Sequence, residues 1–330
     1  MHIERIDPMD LDFDTAEAMA ELGRANNAAD GVTMTAPSGP TRLKLYQHDF
    51  DGTPFAGLWL ARENGQLVGQ AAAQFPWREN TDAVYVRGGV HPDHQRQGIG
   101  RALLDAVRNA GQEAGRSRFY TGAAQGTGGE KALVTLGFEP IHTYAVSHID
   151  LHDGPWARWN RLYDEALSVA ADYELMRLVG PTPEENLEDV VALFAAINDA
   201  PMTDADADPD AWDTDRVRAY DTAMAERRQT VYRVMARHRE TGAWAGHTVL
   251  CIDEFDPEVG HQEDTSVVTA HRGHRLGLLL KTEMLRWIAE ERPEVRATET
   301  WNSVQNHHML AVNESLGARV VDRHTSLRSG

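Results

Sequence analysis

The sequence predicts a mixed α/β protein that consists of two similar domains in tandem. Apolar residues alternate as in a strand up to Val90, and after a loop with two glycines they follow helical spacing. The same strand, loop and helix return later, where Val267 and Gly277 follow Val90 and Gly100 by 177 residues each. Because one offset relates all three elements, we interpret it as an internal duplication.

Length, composition and charge agree with this interpretation. A chain of 330 residues is long for one hydrophobic core, and 42% hydrophobic with 25% charged residues is typical of a globular protein. The acidic excess gives a net charge of −19, which repels nucleic acid and acidic membranes. We therefore expect no nucleic-acid partner and a substrate that is cationic.

Cysteine content and apolar segments suggest where the protein works. Cys251 is the single cysteine of the sequence, so we expect neither a disulfide framework nor a cysteine-based metal site. The sequence does not open with a basic segment followed by an apolar one, and no apolar run reaches membrane-spanning length. We expect a cytoplasmic protein with no membrane partner.

Local patterns predict the elements of the first half in order. Asn64 and Gly65 between two apolar runs are typical of a tight hairpin turn, and Gly137 is a plausible end for a short helix. The predicted elements are a strand at His2–Ile6, a helix at 11–29, a break at 33–39, a hairpin at 57–75, a strand to Val90, the helix after Gly100, a strand at 118–123, a helix at 130–136 and a strand at 138–151.

The second half repeats this order after a connecting helix. Thr182 and Pro183, followed by two glutamates, have the composition of a helix start. The predicted elements are a helix at 156–171, a strand at 173–179, the helix opened by Thr182, a helix at 215–228, a hairpin at 231–236 and 243–253, and a strand at 265–269. We predict domains at 1–151 and 173–330, joined by a connecting helix within 152–172.

The loop between strand and helix suggests a ligand. In Val90-His-Pro-Asp-His-Gln-Arg-Gln-Gly-Ile-Gly100, two glycines let the backbone approach a bound group closely. The free N–H groups of a starting helix bind phosphate oxygens. The string therefore predicts a diphosphate site, and it is longer and more specific than an isolated Gly-x-Gly.

This string resembles the acetyl-CoA motif of the GCN5-related N-acetyltransferases. The resemblance implies, for each domain, a mostly antiparallel mixed sheet with flanking helices and a splayed central strand whose free backbone groups pair with pantetheine. It also implies acetyl-CoA as co-substrate, held in the first half by Gly88, Gly89, Val90, Gln95, Arg96, Gln97, Gly98, Ile99, Gly100 and Arg101, and in the second by Val267, Arg272, Gly273, His274, Arg275, Gly277 and Asn306.

The two halves depart from the family pattern in different ways. Many relatives carry a tyrosine that protonates the departing CoA thiolate, and this sequence has Leu133 and Asn313 at the two corresponding positions. Tyr120 and Tyr144 are possible substitutes in the first half. In the second loop Arg275 stands where the first has Gly98, which argues against close backbone approach but adds positive charge.

Amide formation requires a neutral amine, because an ammonium has no lone pair for attack. A carboxylate can remove that proton, directly or through water. Asp264 precedes the Val267 strand position by three residues and Glu299 lies on the adjoining strand, so both are candidate bases or ammonium anchors. His271 and His274 flank the second loop, where they could contact phosphate. A metal site built on two histidines needs a third ligand with suitable spacing, and the sequence offers none, so we expect no metal.

These observations favour a tandem N-acetyltransferase that transfers acetyl from acetyl-CoA to a primary amine of a small molecule or peptide by direct attack. One of its halves could be degenerate, and the sequence leaves open which. The alternative is a non-catalytic protein that binds or senses acyl-CoA and serves as a scaffold. A dinucleotide-dependent oxidoreductase fits poorly, because the first glycine of that fingerprint is absent. The amine, the length of the acyl group, and the choice between monomer and homodimer stay open.

Overall fold

The computed structural model describes residues 1–50, 53, 55–199 and 208–330. These residues form two compact units that are each discontinuous in sequence.

Unit 1 contains residues 1–144 and 322–330, together with Asp208, within the part of the chain that is described. Unit 2 contains the described residues of 145–199 and 209–321. The organisation into domains 1–151 and 173–330 stays a prediction.

Unit 1 is a sheet with helices on both faces. Its strands are ordered β1-β2-β3-β4-β5, antiparallel except for β4 and β5. The elements are β1 (His2–Ile6), α1 (Phe13–Asp30), α2 (Gly39–Gln47), β2 (Phe55–Glu63), β3 (Gln66–Gln74), β4 (Ala83–Val90), α3 (Ile99–Glu113), β5 (Arg118–Ala124) and α4 (Gly128–Thr135), followed by β6 (Glu139–Asp150), which continues into unit 2.

Unit 2 repeats this arrangement. Its strand order is β6-β11-β10-β9-β8-β7, and β10 and β11 are parallel. The elements are α5 (Trp156–Val169), β7 (Tyr173–Val179), α6 (Leu187–Ala195), α7 (Thr214–Glu226), β8 (Gln229–His238), β9 (Trp244–Asp253), β10 (Val259–Val267), α8 (Leu276–Glu291), β11 (Ala297–Ser303) and α9 (His307–Ser315).

The strand next to β5 comes from the end of the chain. Residues 324–329 of β12 (Arg319–Ser329) pair antiparallel with β5, from His324 opposite Ala124 to Ser329 opposite Phe119. Leu327 on this segment is fully buried in the core of unit 1. The sequence does not predict this strand, because its polar run Arg-His-Thr-Ser lacks the alternation of apolar residues that is typical of a strand.

Most predicted elements are confirmed, and the fold class is correct. Asn64 and Gly65 both have positive φ angles, 51° and 84°, as a tight primed hairpin turn requires. Helix α2 was missed because it follows directly on the Pro/Gly/Ser/Thr break. It is capped by Ser38, whose side chain accepts a hydrogen bond from the N–H of Thr41.

The predicted helix start at Thr182 is wrong. The N–H of Thr182 donates to Asp221 and its hydroxyl accepts from Arg233, so the residue is held by α7 and β8. A short 3-10 helix follows at Glu184–Asn186, and α6 begins only at Leu187. Strand β10 also begins earlier than predicted, at Val259, because its polar first half does not alternate.

In each unit the central parallel pair of strands separates before it ends. β4 pairs with β5 only from Ala83 to Tyr85, although β4 continues to Val90. β10 pairs with β11 only from Val259 to Gln262, although β10 continues to Val267. The edge of each strand beyond this point is therefore unpaired on that side, as expected for a splayed central strand. Within the described ranges, no helix is both long and apolar enough to cross a membrane.

Candidate active site

The loops after β4 and β10 have the same backbone conformation with their residues exchanged. In unit 1, Arg96 and Gly98 take the left-handed conformation, with φ of 59° and 85°. In unit 2, Gly273 and Arg275 occupy the same two positions of the repeat, with φ of 87° and 58°. Each loop thus contains one glycine and one arginine in left-handed geometry, in opposite order. Arg275 therefore takes the same left-handed conformation in the second loop that Gly98 takes in the first.

The helices that follow these loops begin without a side-chain cap. No side chain accepts from the first N–H groups of α3 or α8, whereas Asp12 caps α1 and Asn306 caps α9. The first N–H groups of a helix have no acceptor within the helix itself. Two left-handed residues just before such a helix start form a concave set of N–H groups that suits an anion.

A cavity of about 640 Å³ lies beside the second loop, within unit 2. Helix α9, the end of β10 and the start of α8 form its walls. The predicted cofactor residues that line it are Val267, Arg272, Gly273, Arg275, Gly277 and Asn306. Its size is in the range of small-molecule sites. His274 lies elsewhere: its ring contacts Tyr173, with centroids 5.5 Å apart.

The predicted cofactor residues of unit 1 lie together on the end of β4 and the following loop. Gly88 and Gly89 pair with Ala71 and Gln70 on β3. Ile99 is buried in the core, so its N–H group alone can meet a ligand. The other loop members among them, namely Gln95, Arg96, Gln97, Gly98, Gly100 and Arg101, are exposed.

One side-chain contact holds the same position in both loops. In unit 1, the amide of Gln95 donates to the carbonyl oxygen of Val90 over 3.2 Å. In unit 2, Nε of Arg272 donates to the carbonyl oxygen of Val267 over 3.1 Å. The two loops are therefore equivalent in contacts as well as in backbone.

Strand β10 contains a bulge that β4 lacks. Gln262 pairs with Leu250 and Thr265 with Thr248, so three steps on β10 match two on β9. The pairing of β3 with β4 is regular over its whole length. A bulge places one extra residue in the strand and breaks the alternation of side chains between the two faces. The residues inside this bulge are Glu263 and Asp264.

Both bulge carboxylates lie on the face of the sheet covered by α6 and α7. Asp264 contacts His247, and the charge of Glu263 adds to the rise that burial gives the pKa of the Cys251 thiol. His247 and Cys251 are four residues apart on β9 and therefore share a face. Oδ2 of Asp264 lies 2.7 Å from Nε2 of His247 and 3.2 Å from the Ser266 hydroxyl, which also lies 2.9 Å from the Leu193 carbonyl oxygen.

Glu263 is suited to take up a proton. Partial burial raises the pKa of the Glu263 carboxyl, and the negative charge of the neighbouring Asp264 adds to this rise. His261 and Arg227 act in the opposite direction. The side chain nevertheless keeps contact with solvent. A carboxyl with a raised pKa is a better general base than an ordinary one.

Glu299 is fully engaged by its neighbours. Its carboxylate accepts from Trp301 Nε1 over 3.2 Å and lies 2.9 Å from Nε2 of His148, with His261 Nδ1 at 3.9 Å. Burial opposes ionisation, but the hydrogen bonds from His148 and Trp301 and the charge of His261 outweigh it and lower the pKa of the Glu299 carboxyl. Glu299 is therefore a weaker base than Glu263.

The structure brings together residues that the sequence analysis did not single out. His261 acts electrostatically on Glu263, which the sequence did not single out, and lies near the predicted Glu299. The polar run His261-Gln-Glu-Asp264 before Val267 was the available signal. Asn313, at the position of the missing tyrosine, is buried and donates to Asn302 over 2.6 Å.

Among the residues that are described, no group of three or more His, Cys, Asp or Glu side chains is arranged to hold a metal ion.

Comparison with known proteins agrees with this arrangement. Residues 28–138 match the Acetyltransferase (GNAT) family. A mycothiol acetyltransferase from Nocardiopsis dassonvillei is 38% identical over 110 residues, which cover 32% of this chain and 31% of that protein. The chain thus spans less than a third of the length of this curated relative.

Two solved structures are similar over nearly the whole chain. A tandem GNAT protein from the clavulanic acid biosynthesis pathway superposes with a TM-score of 0.80 and 26% identity, covering 99% of this chain and 98% of its own. A GCN5-related N-acetyltransferase from Sphaerobacter thermophilus has a TM-score of 0.69 at 16% identity, with 99% and 95% covered, and so shares the fold. The family match over residues 28–138 and the tandem neighbour thus show a GNAT domain in the first half of the chain and the fold of a tandem GNAT protein over its whole length.

Proposed function

We propose that the protein is an acetyl-CoA-dependent N-acetyltransferase whose chemistry takes place in unit 2. The acetyl group passes to a primary amine of a small molecule or peptide by direct attack on the thioester. One observation carries this proposal: the bulge of β10 sets Glu263 and Asp264 on one face, at the point where β10 leaves β11. The cavity beside the second loop adjoins the same strand.

Glu263 is the proposed general base. The amine must lose a proton to attack, and a carboxyl with a raised pKa accepts it more readily than an ordinary carboxyl. Asp264, held by His247 and Ser266, anchors the incoming ammonium group. The net charge of −19 favours a cationic amine, which the bulge carboxylates attract.

The donor binds through backbone groups in this proposal. The N–H groups at the start of α8 hold the diphosphate, and Arg272 and Arg275 on the cavity wall add positive charge. N–H groups on the unpaired edge of β10 polarise the thioester carbonyl, and the held geometry contributes through proximity. The name of the Nocardiopsis relative supports acetyl as the transferred group.

No tyrosine protonates the CoA thiolate in this proposal. Asn313 is buried and bonded to Asn302, and its amide is not an acid. A free thiol has a pKa of about 8.5, so solvent at neutral pH can return the proton.

For unit 1 we propose the second function, acyl-CoA binding without turnover. β4 carries no carboxylate between Ala83 and Val90, and its pairing with β3 has no bulge. Leu133 stands at the position of the usual proton donor. The loop before α3 nevertheless keeps the geometry of its counterpart. Unit 1 is then the degenerate half and unit 2 the catalytic half.

A matched pair of loop variants tests this assignment. Gly100 and Gly277 are equivalent positions at the start of α3 and α8, and a side chain at either meets no close backbone contact. Glutamate there is favourable for the helix start but repels a diphosphate. Turnover of acetyl-CoA with a panel of primary amines, followed by release of the CoA thiol, should fall at least 100-fold in Gly277→Glu and far less in Gly100→Glu.

The opposite ranking would assign catalysis to unit 1. Absence of turnover with every amine, together with CoA binding measured by calorimetry, would favour the non-catalytic alternative for the whole chain.

A further inference from the structure

Three histidines and a tyrosine form a cluster beside the second loop of unit 2. The Tyr173 hydroxyl lies 3.0 Å from Nδ1 of His271. The Tyr173 ring is 5.2 Å from that of His238 and 5.5 Å from that of His274, and the His238 and His271 rings are 6.0 Å apart. His271 also lines the cavity. A group in the cavity next to the loop therefore meets this cluster at His271.

The corresponding histidine of unit 1 has a different environment. His94 precedes His271 by the repeat offset of 177 residues, and its Nδ1 lies 3.1 Å from the Glu63 carboxylate. In unit 2, none of the three clustered histidines is ion-paired with a carboxylate of the described ranges. A protonated His94 is thus neutralised by the protein, whereas protonation of the cluster leaves a net positive charge.

The other charged groups around the cluster are basic or engaged elsewhere. Arg272 and Arg275 belong to the same loop, and Arg275 lies 3.7 Å from Glu165 on α5. On the strand side, Arg239 lies 3.6 Å from Glu174, and Asp172 acts on Tyr173.

His271 is poised to gain a proton when an anion arrives. Burial lowers the pKa of His271, and the positive charges of His238 and His274 lower it further. An anion beside the ring opposes both neighbours, so it raises the pKa and draws a proton from solvent.

We propose that His271, with His238 and His274 clustered beside it, forms a phosphate subsite of unit 2 that takes up protons as the acyl-CoA donor binds. This inference rests on the proposed function, since it assumes that the donor occupies the loop of unit 2. The ligand is one of the phosphate groups of the donor, either its ribose phosphate or its diphosphate. By reciprocity, proton uptake makes the donor bind more tightly as the pH falls.

Titration calorimetry with CoA tests the subsite. At pH 6.5, heats are compared in two non-phosphate buffers that differ in ionisation enthalpy, which gives the number of protons exchanged. The variants are His238→Gln and His274→Gln. His274 is the more exposed residue, so its variant can still be measured if His238→Gln does not fold. His94→Gln, at the ion-paired counterpart in unit 1, is the matched control.

The wild-type protein should take up protons, and both cluster variants should take up fewer. Their Kd for CoA should rise on the order of three- to tenfold at pH 6.5 and little at pH 8.5, because only protonated histidines add charge. His94→Gln should keep the wild-type uptake. Loss of uptake with 3′-dephospho-CoA identifies the ribose phosphate as the ligand, while retained uptake identifies the diphosphate. Pantetheine, which lacks both, should show none.

Two results would overturn the subsite. One is CoA binding without proton uptake, and the other is uptake that neither cluster variant reduces. Both leave the proposed function intact. Absence of any CoA binding would instead remove the donor assignment itself, and the subsite with it.

Discussion

His247 Nε2 and Asp264 Oδ2 lie 2.7 Å apart in unit 2, with the histidine completely buried. The repeat offset places Gln70 and Arg87 at the two corresponding positions of unit 1, so this contact belongs to unit 2. Oδ2 of Asp264 lies within hydrogen-bond distance of His247 and Ser266, so this oxygen is committed to the protein. Its neighbour Glu263 is left as the carboxyl for proton transfer.

Glu263→Gln should abolish the pH dependence of acetyl transfer. A base must be deprotonated to act, so kcat/KM of the wild type should increase with pH. Because the pKa of Glu263 is raised, the midpoint of this increase should lie above the ordinary pKa of a carboxyl group. The variant should lose about 100- to 10,000-fold in kcat/KM together with this increase. The exposed Glu240→Gln serves as control, and a Glu263→Gln enzyme with the wild-type pH profile would exclude the residue as base.

Glu299→Ala should destabilise the protein by about 2–4 kcal/mol at pH 7, because it removes the acceptor of His148 and Trp301. The lowered pKa of Glu299 makes its stabilising contribution complete above the ordinary value of 4.5 and lost as the pH falls through the lower folded value. The difference in free energy of unfolding between wild type and variant, measured by urea unfolding, should therefore become smaller below pH 4.5. Glu258→Ala, which breaks an exposed contact with Arg296, should change stability by about 0.5 kcal/mol at most.

Lys281→Met should stabilise the protein at pH 7. Lys281 is buried on α8, where the repeat has Leu104, and burial lowers the pKa of its amine to about 8 despite the charge of Asp264. We expect a gain of about 1–3 kcal/mol, since the buried charge is removed. Between pH 8 and 10.5 the unfolded chain holds more protons than the folded one, so the wild type gains stability and the advantage of the variant shrinks. Thermal unfolding across pH, with exposed Lys131→Met as control, checks this, and a less stable variant at pH 7 would contradict it.

Leu327→Ala should destabilise unit 1, because this residue of β12 belongs to the core of that unit. Its side chain is fully buried with Val107 and Phe119 in the core of unit 1. Loss of a buried leucine side chain costs about 2–5 kcal/mol. On the same strand, Val320 is 49% exposed, and Val320→Ala should cost less than about 0.5 kcal/mol. Equal unfolding midpoints for the two variants would show that the terminal strand does not stabilise the unit.

The sequence by itself determined the family, the duplication and most elements of the sheet. These features depend on local periodicity and on residue types at fixed spacing, such as Asn64-Gly65 at the hairpin and the loop glycines before α3. Both kinds of signal survive in a linear sequence because neighbouring residues produce them.

Only the tertiary structure decided which carboxylates share a face and what surrounds them. Simple strand alternation puts Glu263 and Asp264 on opposite faces, and the bulge, which depends on pairing with β9, puts them on one. Likewise Arg275 takes the left-handed turn that its side chain disfavours, and residues 324–329 pair with β5 some 200 residues earlier in the chain. The free energy behind these features comes from contacts between distant segments, and no local pattern records it.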